Sequence, residues 1–292
     1  MHVHINYHRK VVGILSGIVL ILLILLIMAF FRVGLFHTKE YRYLQGEEAV
    51  VIKPADETTE AVVLPVKKVL FEYIEVAESC GSAYQGECVN VRSGPGEDFP
   101  KITKLRQGIV LKVGGKVERD GRTWYKIIFD EWLRYPERLT GDWYVAADVV
   151  KVLLDEGVRH LTGPAIASGK RIIVDRSEQM LYAYEGNELF MKEKVSTGLE
   201  FTPTPKGTFT IFKKTPSRYM QGPIPGITPK EYDLPGVPWN LYFTFDGAVI
   251  HGTYWHQNFG KQSSNGCVNL PPETAKKLYN WAEVGMRVTV RD

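Results

Sequence analysis

The feature that most constrains this chain is the stretch from Val11 to Phe31, 21 consecutive residues without a charge. At a helical rise of about 1.5 Å per residue it reaches about 30 Å, the thickness of a bilayer's hydrocarbon core. A helix buried in a soluble core would keep a polar face, and this one offers only Ser16. The stretch is long for the apolar core of a cleaved signal peptide, and no small-residue cleavage site follows it. Residues 11–31 are therefore expected to form an uncleaved transmembrane anchor. Arg9 and Lys10 precede it, while Arg32, Lys39 and Arg42 follow it, so flanking charge orients it only weakly. The short flank, residues 1–10, is assigned to the cytoplasm and everything beyond residue 32 to the outside. The expected location is the cell membrane, single-pass, with the bulk of the chain on the extracytoplasmic side.

A chain of 292 residues suggests about two domains. With 36 basic and 33 acidic residues the net charge is +3, too balanced to point to nucleic acid. Residues 32–70 are polar, hold Pro54 and Pro65, and carry the run Asp56 to Glu60, which reads as a spacer. The cysteines are Cys80, Cys88 and Cys267. Nearby thiols outside the membrane can pair, so Cys80 and Cys88 are either a disulfide or two small unpaired side chains. In both cases Cys267 is left over, and an odd thiol in an exported protein invites a reactive role.

From 71 to 153 the pattern is short strands separated by turns. Ile109 to Val113, Trp124 to Phe129 and Trp143 to Val150 read as strands, with Gly114-Gly115 and Asp120-Gly121 at hairpin tips. Such a pattern suits a small barrel or sandwich. Trp132 to Leu139 interrupts it like an insertion before the last strand.

Residues 169–292 are again β-rich, with strands at "RIIVD", "QMLYAYE" and "GTFTIFKK". Lys214 to Trp239 then carries six prolines and three glycines, which argues against a regular element and for a long loop, either a binding or lid-type loop or a surface excursion with no substrate contact. Strands "LYFTF" and "AVIHG" follow, joined at Asp246-Gly247. Pro272 to Glu283 reads as a helix with Ala275, Leu278, Tyr279 and Ala282 on one face, ended by Gly285 and followed by a last strand at "RVTV". The fold class is mainly β, with a transmembrane helix and one short helix.

Beyond the membrane and its flank the histidines are His160, His251 and His256. Two of them share the segment "HGTYWHQNFGKQSSNGCVNL" with Cys267. An imidazole beside a lone thiol suggests a thiolate–imidazolium pair, in which the ring takes the thiol proton and the sulfur becomes a nucleophile for amide carbonyls. His251 ends a predicted strand, and the interval to Cys267 is long enough for the chain to return beside it. Gly266 permits a tight backbone, and the N–H groups at Gly266 and Cys267 are placed to face an oxyanion. An inert buried cysteine with a structural histidine remains a second reading. A zinc site of His251, His256 and Cys267 is a third, although no H-E-x-x-H pattern accompanies it.

Two resemblances sharpen this. The run "VNVRSGPGEDFPKITKLRQG", with "DGRTWYKI" and "GDWYVAADVV", resembles the bacterial SH3-like domain, a small β-barrel, which implies recognition of cell-wall peptide. Residues 171–291 resemble the L,D-transpeptidase catalytic domain, the YkuD family. The resemblance is carried by Thr204, Pro205 and Gly207, by "IHGT" at Ile250 to Thr253, and by "SNGCVNL" at Ser264 to Leu270. It implies domains at 71–153 and 169–292 and assigns roles. Cys267 would attack the carbonyl of the third residue of a tetrapeptide stem and expel D-Ala. His251 would be the general base, oriented by a backbone carbonyl near Gly252. An amine of another stem would resolve the acyl-enzyme into a 3→3 cross-link. Ser264, Asn265, Gly266 and Gly252 would shape the site. Asn269, Tyr254, Trp255 and His256 would contact substrate, with ordinary core packing as the other account of the aromatic residues. No cofactor or metal is implied; the partners would be peptidoglycan stem peptides, with carbapenem β-lactams as covalent inhibitors.

One position departs from the family pattern: many members carry a second His directly before Gly-Cys, where this chain has Asn265. A papain-like endopeptidase is disfavoured because there the Cys precedes the His. A wall-binding protein with an inactive domain, or a hydrolase using water as acceptor, stays open. Lys206 and Arg218 are candidates to meet stem carboxylates, without a position that sequence can assign.

Overall fold

The computed structural model describes residues 49–52, 62–65, 70–77, 89–164 and 169–292. The expected anchor at 11–31 and the Cys80/Cys88 pair lie outside them. Among the described residues no helix is long and apolar enough to cross a membrane.

Strands β1 (Ala49–Ile52) and β2 (Val62–Pro65) pair antiparallel. Seven strands then build the first domain: β3 (Phe71–Glu75), β4 (Val89–Arg92), β5 (Lys101–Leu105), β6 (Val110–Arg119), β7 (Arg122–Ile128), β8 (Trp143–Ala146) and β9 (Lys151–Asp155). They form one antiparallel sheet in the order β5-β4-β8-β7-β6-β3-β9. Alternate residues of strands far apart in that order, such as Val89 and Val91 of β4 and Ile74 of β3, share one core with Tyr125, Ile127, Trp143 and Val145. The sheet must therefore coil about that core. Asp120 and Gly121 make the β6–β7 turn with positive φ, as a two-residue hairpin demands. Gly114-Gly115 is not a tip: it lies inside β6, where the register against β7 slips by one residue.

The second domain packs two five-stranded sheets. One runs β10 (Arg159–His160), β15 (Lys213–Ile224), β16 (Thr228–Tyr242), β17 (Val249–Gly252), β18 (Val268–Leu270). The other runs β13 (Glu188–Lys194), β12 (Met180–Glu185), β11 (Lys170–Asp175), β19 (Arg287–Arg291), β14 (Gly207–Thr210). Ile172, Val174, Leu181 and Val288 from one sheet meet Trp239, Leu241, Ile250 and Leu270 from the other in a single core. Helix α1 (Pro272–Trp281) closes that core with Ala275, Leu278 and Tyr279. It ends two residues earlier than its apolar stripe predicts, because Ala282 is the extended C-cap, though still buried.

Three strand expectations need correction. "GTFTIFKK" is two strands in different sheets, β14 and the start of β15, split at Ile211-Phe212. In "LYFTF" only Leu241 and Tyr242 belong to a strand, the end of β16. The proline-rich stretch is a long hairpin, β15 and β16, rather than a loop. Its prolines are tolerated because Pro216, Pro223, Pro225, Pro229 and Pro235 fall between registered pairs, at the two register shifts or at the tip.

The two domains share residues. Tyr73 and Val110 of the first sit in the second domain's core, and Val237 and Tyr254 of the second sit in the first domain's core. Ser217 Oγ donates to the Val110 carbonyl at 2.6 Å, and Lys276 pairs with Glu75 at 2.6 Å. At Gly236 a Cβ would meet the Val110 oxygen at 2.5 Å, so the backbones touch where no side chain fits.

Candidate active site

Strands β17 and β18 pair in parallel, with Ile250 opposite Val268 and His251 opposite Asn269. Side chains two apart share a face, so Cys267, immediately before β18, lies on the face of His251 and Asn269, one diagonal step from the imidazole. The fifteen residues between them are a crossover that returns the chain beside β17.

The loop 264–267 is held by Ser264. Its Oγ accepts the Gly266 N–H at 3.2 Å and donates to the Cys267 carbonyl at 2.6 Å. Thr204 Oγ1 accepts the Gly198 N–H at 3.0 Å and donates to the same carbonyl at 3.4 Å. These contacts explain what a Ser-x-Gly-Cys sequence supplies locally: a hydroxyl that closes the turn and fixes the cysteine backbone. They also correct one expectation, since the Gly266 N–H is already used and is not a spare oxyanion donor. Gly266 has φ +111, a conformation that side chains resist. Gly266→Ala is expected to cost about 1–3 kcal/mol of local strain. Urea unfolding should show the loss, and alkylation of Cys267 should slow as the loop relaxes.

His251 is buried, 1% exposed. Its Nδ1 lies 2.9 Å from the Gly252 carbonyl, which can only accept, so the proton is on Nδ1 and the lone pair on Nε2. Gly252 has no room for a side chain: a Cβ would sit 2.7 Å from Pro238. Burial pulls the His251 pKa down to about 4, with the Arg218 charge adding to that direction and the Gly252 contact opposing it. Burial raises the Cys267 thiol, opposed by Arg218. Burial thus favours the neutral thiol and the neutral imidazole over the ion pair the sequence suggests. The thiol itself donates to the Gly247 carbonyl at 3.8 Å.

Cys267 is half-buried and lines a cavity of about 380 Å³. Asn265, Gly266, Gly247, Arg218, Tyr232 and Trp132 also line it. Arg218 thus reaches the site, whereas Lys206 is engaged with Asp292 at 2.7 Å. Sequence reasoning missed Tyr232 and Trp132, because nothing near the Cys–His motif points to them.

The four expected substrate contacts are absent from the lining. Tyr254 is a domain-seam residue, 3% exposed, whose hydroxyl donates to the Pro235 carbonyl at 2.8 Å. Trp255 stacks on the His251 ring at 5.8 Å between centroids and orients it. His256 Nδ1 accepts the Asn258 N–H at 3.2 Å, so its proton is on Nε2, 2.9 Å from the Asn269 side-chain amide. With the Asn269 oxygen turned toward that proton, His256 is satisfied, while the other arm of the Asn269 amide stays buried without a hydrogen-bond partner. His256 and the buried Asn269 hold one another and present no free base. Among the described residues no group of three metal-ligating side chains comes together, so the zinc reading has no site there.

Residues 169–290 match the family described as L,D-transpeptidase catalytic domain, and 88–151 match the bacterial SH3 domain. YqjB of Bacillus subtilis, a protein named as an L,D-transpeptidase, is 30% identical over 127 residues, 41% of this chain and 70% of YqjB. The chain belongs to the L,D-transpeptidase family. Solved L,D-transpeptidases are also similar. A variant from Enterococcus faecium shares 26% identity over 42% of this chain and 49% of that chain, with a TM-score of 0.38. L,D-transpeptidase 3 of Mycobacterium tuberculosis, solved with a faropenem-derived adduct, shares 16% identity over 62% of this chain and 98% of that chain, with a TM-score of 0.40. The chain thus spans about half of the Enterococcus faecium structure it matches.

Proposed function

We propose that the chain is a peptidoglycan L,D-transpeptidase held at the outer face of the cell membrane by residues 11–31, with Cys267 as nucleophile and His251 as general base. The observation that carries this reading is the parallel β17–β18 pairing, which sets a cavity-lining thiol and an imidazole of fixed tautomer on one face.

The proposed reaction runs in two halves. When the stem's third-residue carbonyl reaches Cys267, the thiol proton passes to His251 Nε2 and the sulfur bonds to the carbonyl carbon. The tetrahedral intermediate places its charge on the carbonyl oxygen. Its collapse breaks the C–N bond to D-Ala, and the imidazolium returns its proton to the departing amine. An amine from a second stem then attacks the thioester and gives its proton to His251. The thiolate leaves and is reprotonated, and the product is a 3→3 cross-link. A preformed ion pair is unnecessary, because the neutral imidazole already holds its lone pair on Nε2. The SH3 domain would keep the site close to wall peptide. No cofactor enters.

Full-length protein in detergent, incubated with disaccharide tetrapeptides and analysed by mass spectrometry, is expected to give free D-Ala and 3→3 dimers. D-Ala without dimers would replace transpeptidation by hydrolysis. No D-Ala would remove the proposal. A carbapenem is expected to add its full mass to Cys267, because a thiolate opens the β-lactam amide by the same attack.

A further inference from the structure

The segment between β7 and β8, an insertion in the strand pattern of the sequence, reaches across to the catalytic domain and is fastened there. Glu131 accepts the Tyr219 N–H at 2.7 Å. The Tyr135 N–H donates to Gln221 Oε1 at 2.8 Å, and Gln221 Nε2 returns a bond to the Tyr135 carbonyl at 3.0 Å. The Tyr135 hydroxyl donates to the Pro223 carbonyl at 2.7 Å. Arg138 donates to the Gly222 carbonyl at 2.6 Å and pairs with Asp233 at 3.2 Å. All these partners belong to the β15–β16 hairpin, which forms one wall of the Cys267 cavity.

Between the fastenings at 131 and 135, Trp132 and Arg134 are exposed and line that cavity. Trp132 is 74% exposed, a large apolar surface left open at the mouth of a cleft. The Arg134 guanidinium lies over its ring, 5.4 Å from the centroid. Among the described residues neither Arg134 nor Arg218 forms an ion pair within 4 Å, although the half-buried Glu131 carboxylate lies within electrostatic reach of Arg218. The two cations stand at different depths of the same lining: Arg218, whose charge reaches Cys267 and His251, is half-buried, and Arg134 is exposed. The acidic residue in the lining is the exposed Asp246, on the turn that also carries Gly247.

We propose that the SH3 segment completes the donor-peptide site: Arg134, steadied by Trp132, receives a second carboxylate of a dianionic peptide whose first carboxylate lies near Arg218. This rests on the transpeptidase reading above. Guanidinium groups at two depths match a peptide with one carboxylate at its end and another on a side branch. The SH3 domain is then a fixed wall of the catalytic cleft, and its β7–β8 segment sets donor specificity.

The test uses two tetrapeptides that differ only in whether the side-branch carboxylate is free or amidated. D-Ala release is measured with the full chain and with Arg134→Gln, Arg134→Lys and Trp132→Ala. Peptide binding is measured in parallel in the Cys267→Ala background. The parent chain should favour the dianionic peptide about 10-fold, carried in KM rather than kcat. Arg134→Gln should erase the preference, Arg134→Lys should recover part of it, and Trp132→Ala should weaken it. Alkylation by neutral iodoacetamide should be the same in all four. An equal preference in Arg134→Gln and the parent chain would overturn the inference. Absence of D-Ala release from either peptide, with the binding preference and its loss in Arg134→Gln intact, would instead remove the transpeptidase reading and leave the anion site standing.

Discussion

Cys267→Ala is expected to abolish D-Ala release and cross-linking, with a loss of about 10⁴-fold or more. The magnitude follows from chemistry: without sulfur no thioester forms, and the remaining cleft offers only binding and positioning. The fold should survive. Cys267 is half-buried, and the loop around it is held by the Ser264 and Thr204 hydroxyls through the backbone carbonyl, which Ala keeps. The expected stability change is within about 1 kcal/mol. A thermal melt close to the parent's, together with no detectable D-Ala by coupled assay, is the predicted pair of results. Activity retained in a folded Cys267→Ala protein would exclude the thiol as nucleophile.

His251→Ala is expected to lower acylation by about 10²–10⁴-fold at neutral pH. Burial holds the thiol above its ordinary value, so without a base very little thiolate exists near pH 7. The pH profile separates this role from simple packing. A folded-state imidazole pKa of about 4 means that the base is available down to that pH, and that kcat/KM should fall on the acid side near 4 rather than near 6.5. Stability should follow with a definite sign. The folded pKa lies below the unfolded one, so the unfolded chain binds more protons between about pH 4 and 6.5, and stability is lost as pH falls through that window. The size is about 3 kcal/mol from a shift of this extent. His251→Ala should remove that acid-side slope, which denaturant titrations between pH 4 and 7 would reveal. An acid limb at 6.5 in the parent would contradict the buried, neutral base.

Much of this was readable in the sequence because the informative signals are local. Alternation at 171–175 marks a strand, the stripe Ala275, Leu278, Tyr279 marks a helix, and Ile250 to Thr253 with Ser264 to Leu270 marks the candidate site by residue type and order. The misreadings arose where distant contacts decide. Prolines argue against a strand only if their missing N–H is needed, and in the β15–β16 hairpin most fall where the ladder is already interrupted. Tyr254 resembles a pocket aromatic because it neighbours His251 in sequence, yet its ring fills the seam with the SH3 domain. Burial, which disfavours the ion pair by acting on both groups, has no sequence signature. Trp132 and Arg134 were illegible for a related reason. They are more than 130 residues before Cys267, and only the β15–β16 hairpin brings them to it.

The most direct measurement is the intact mass of the protein, with peptide mapping, after brief exposure to a stem tetrapeptide without an acceptor amine. The account predicts a hydroxylamine-labile adduct on Cys267 equal to the tetrapeptide less D-Ala, formed by the parent chain and suppressed in His251→Ala. An adduct on another residue, or D-Ala release with no thioester on Cys267 at any time, would contradict it.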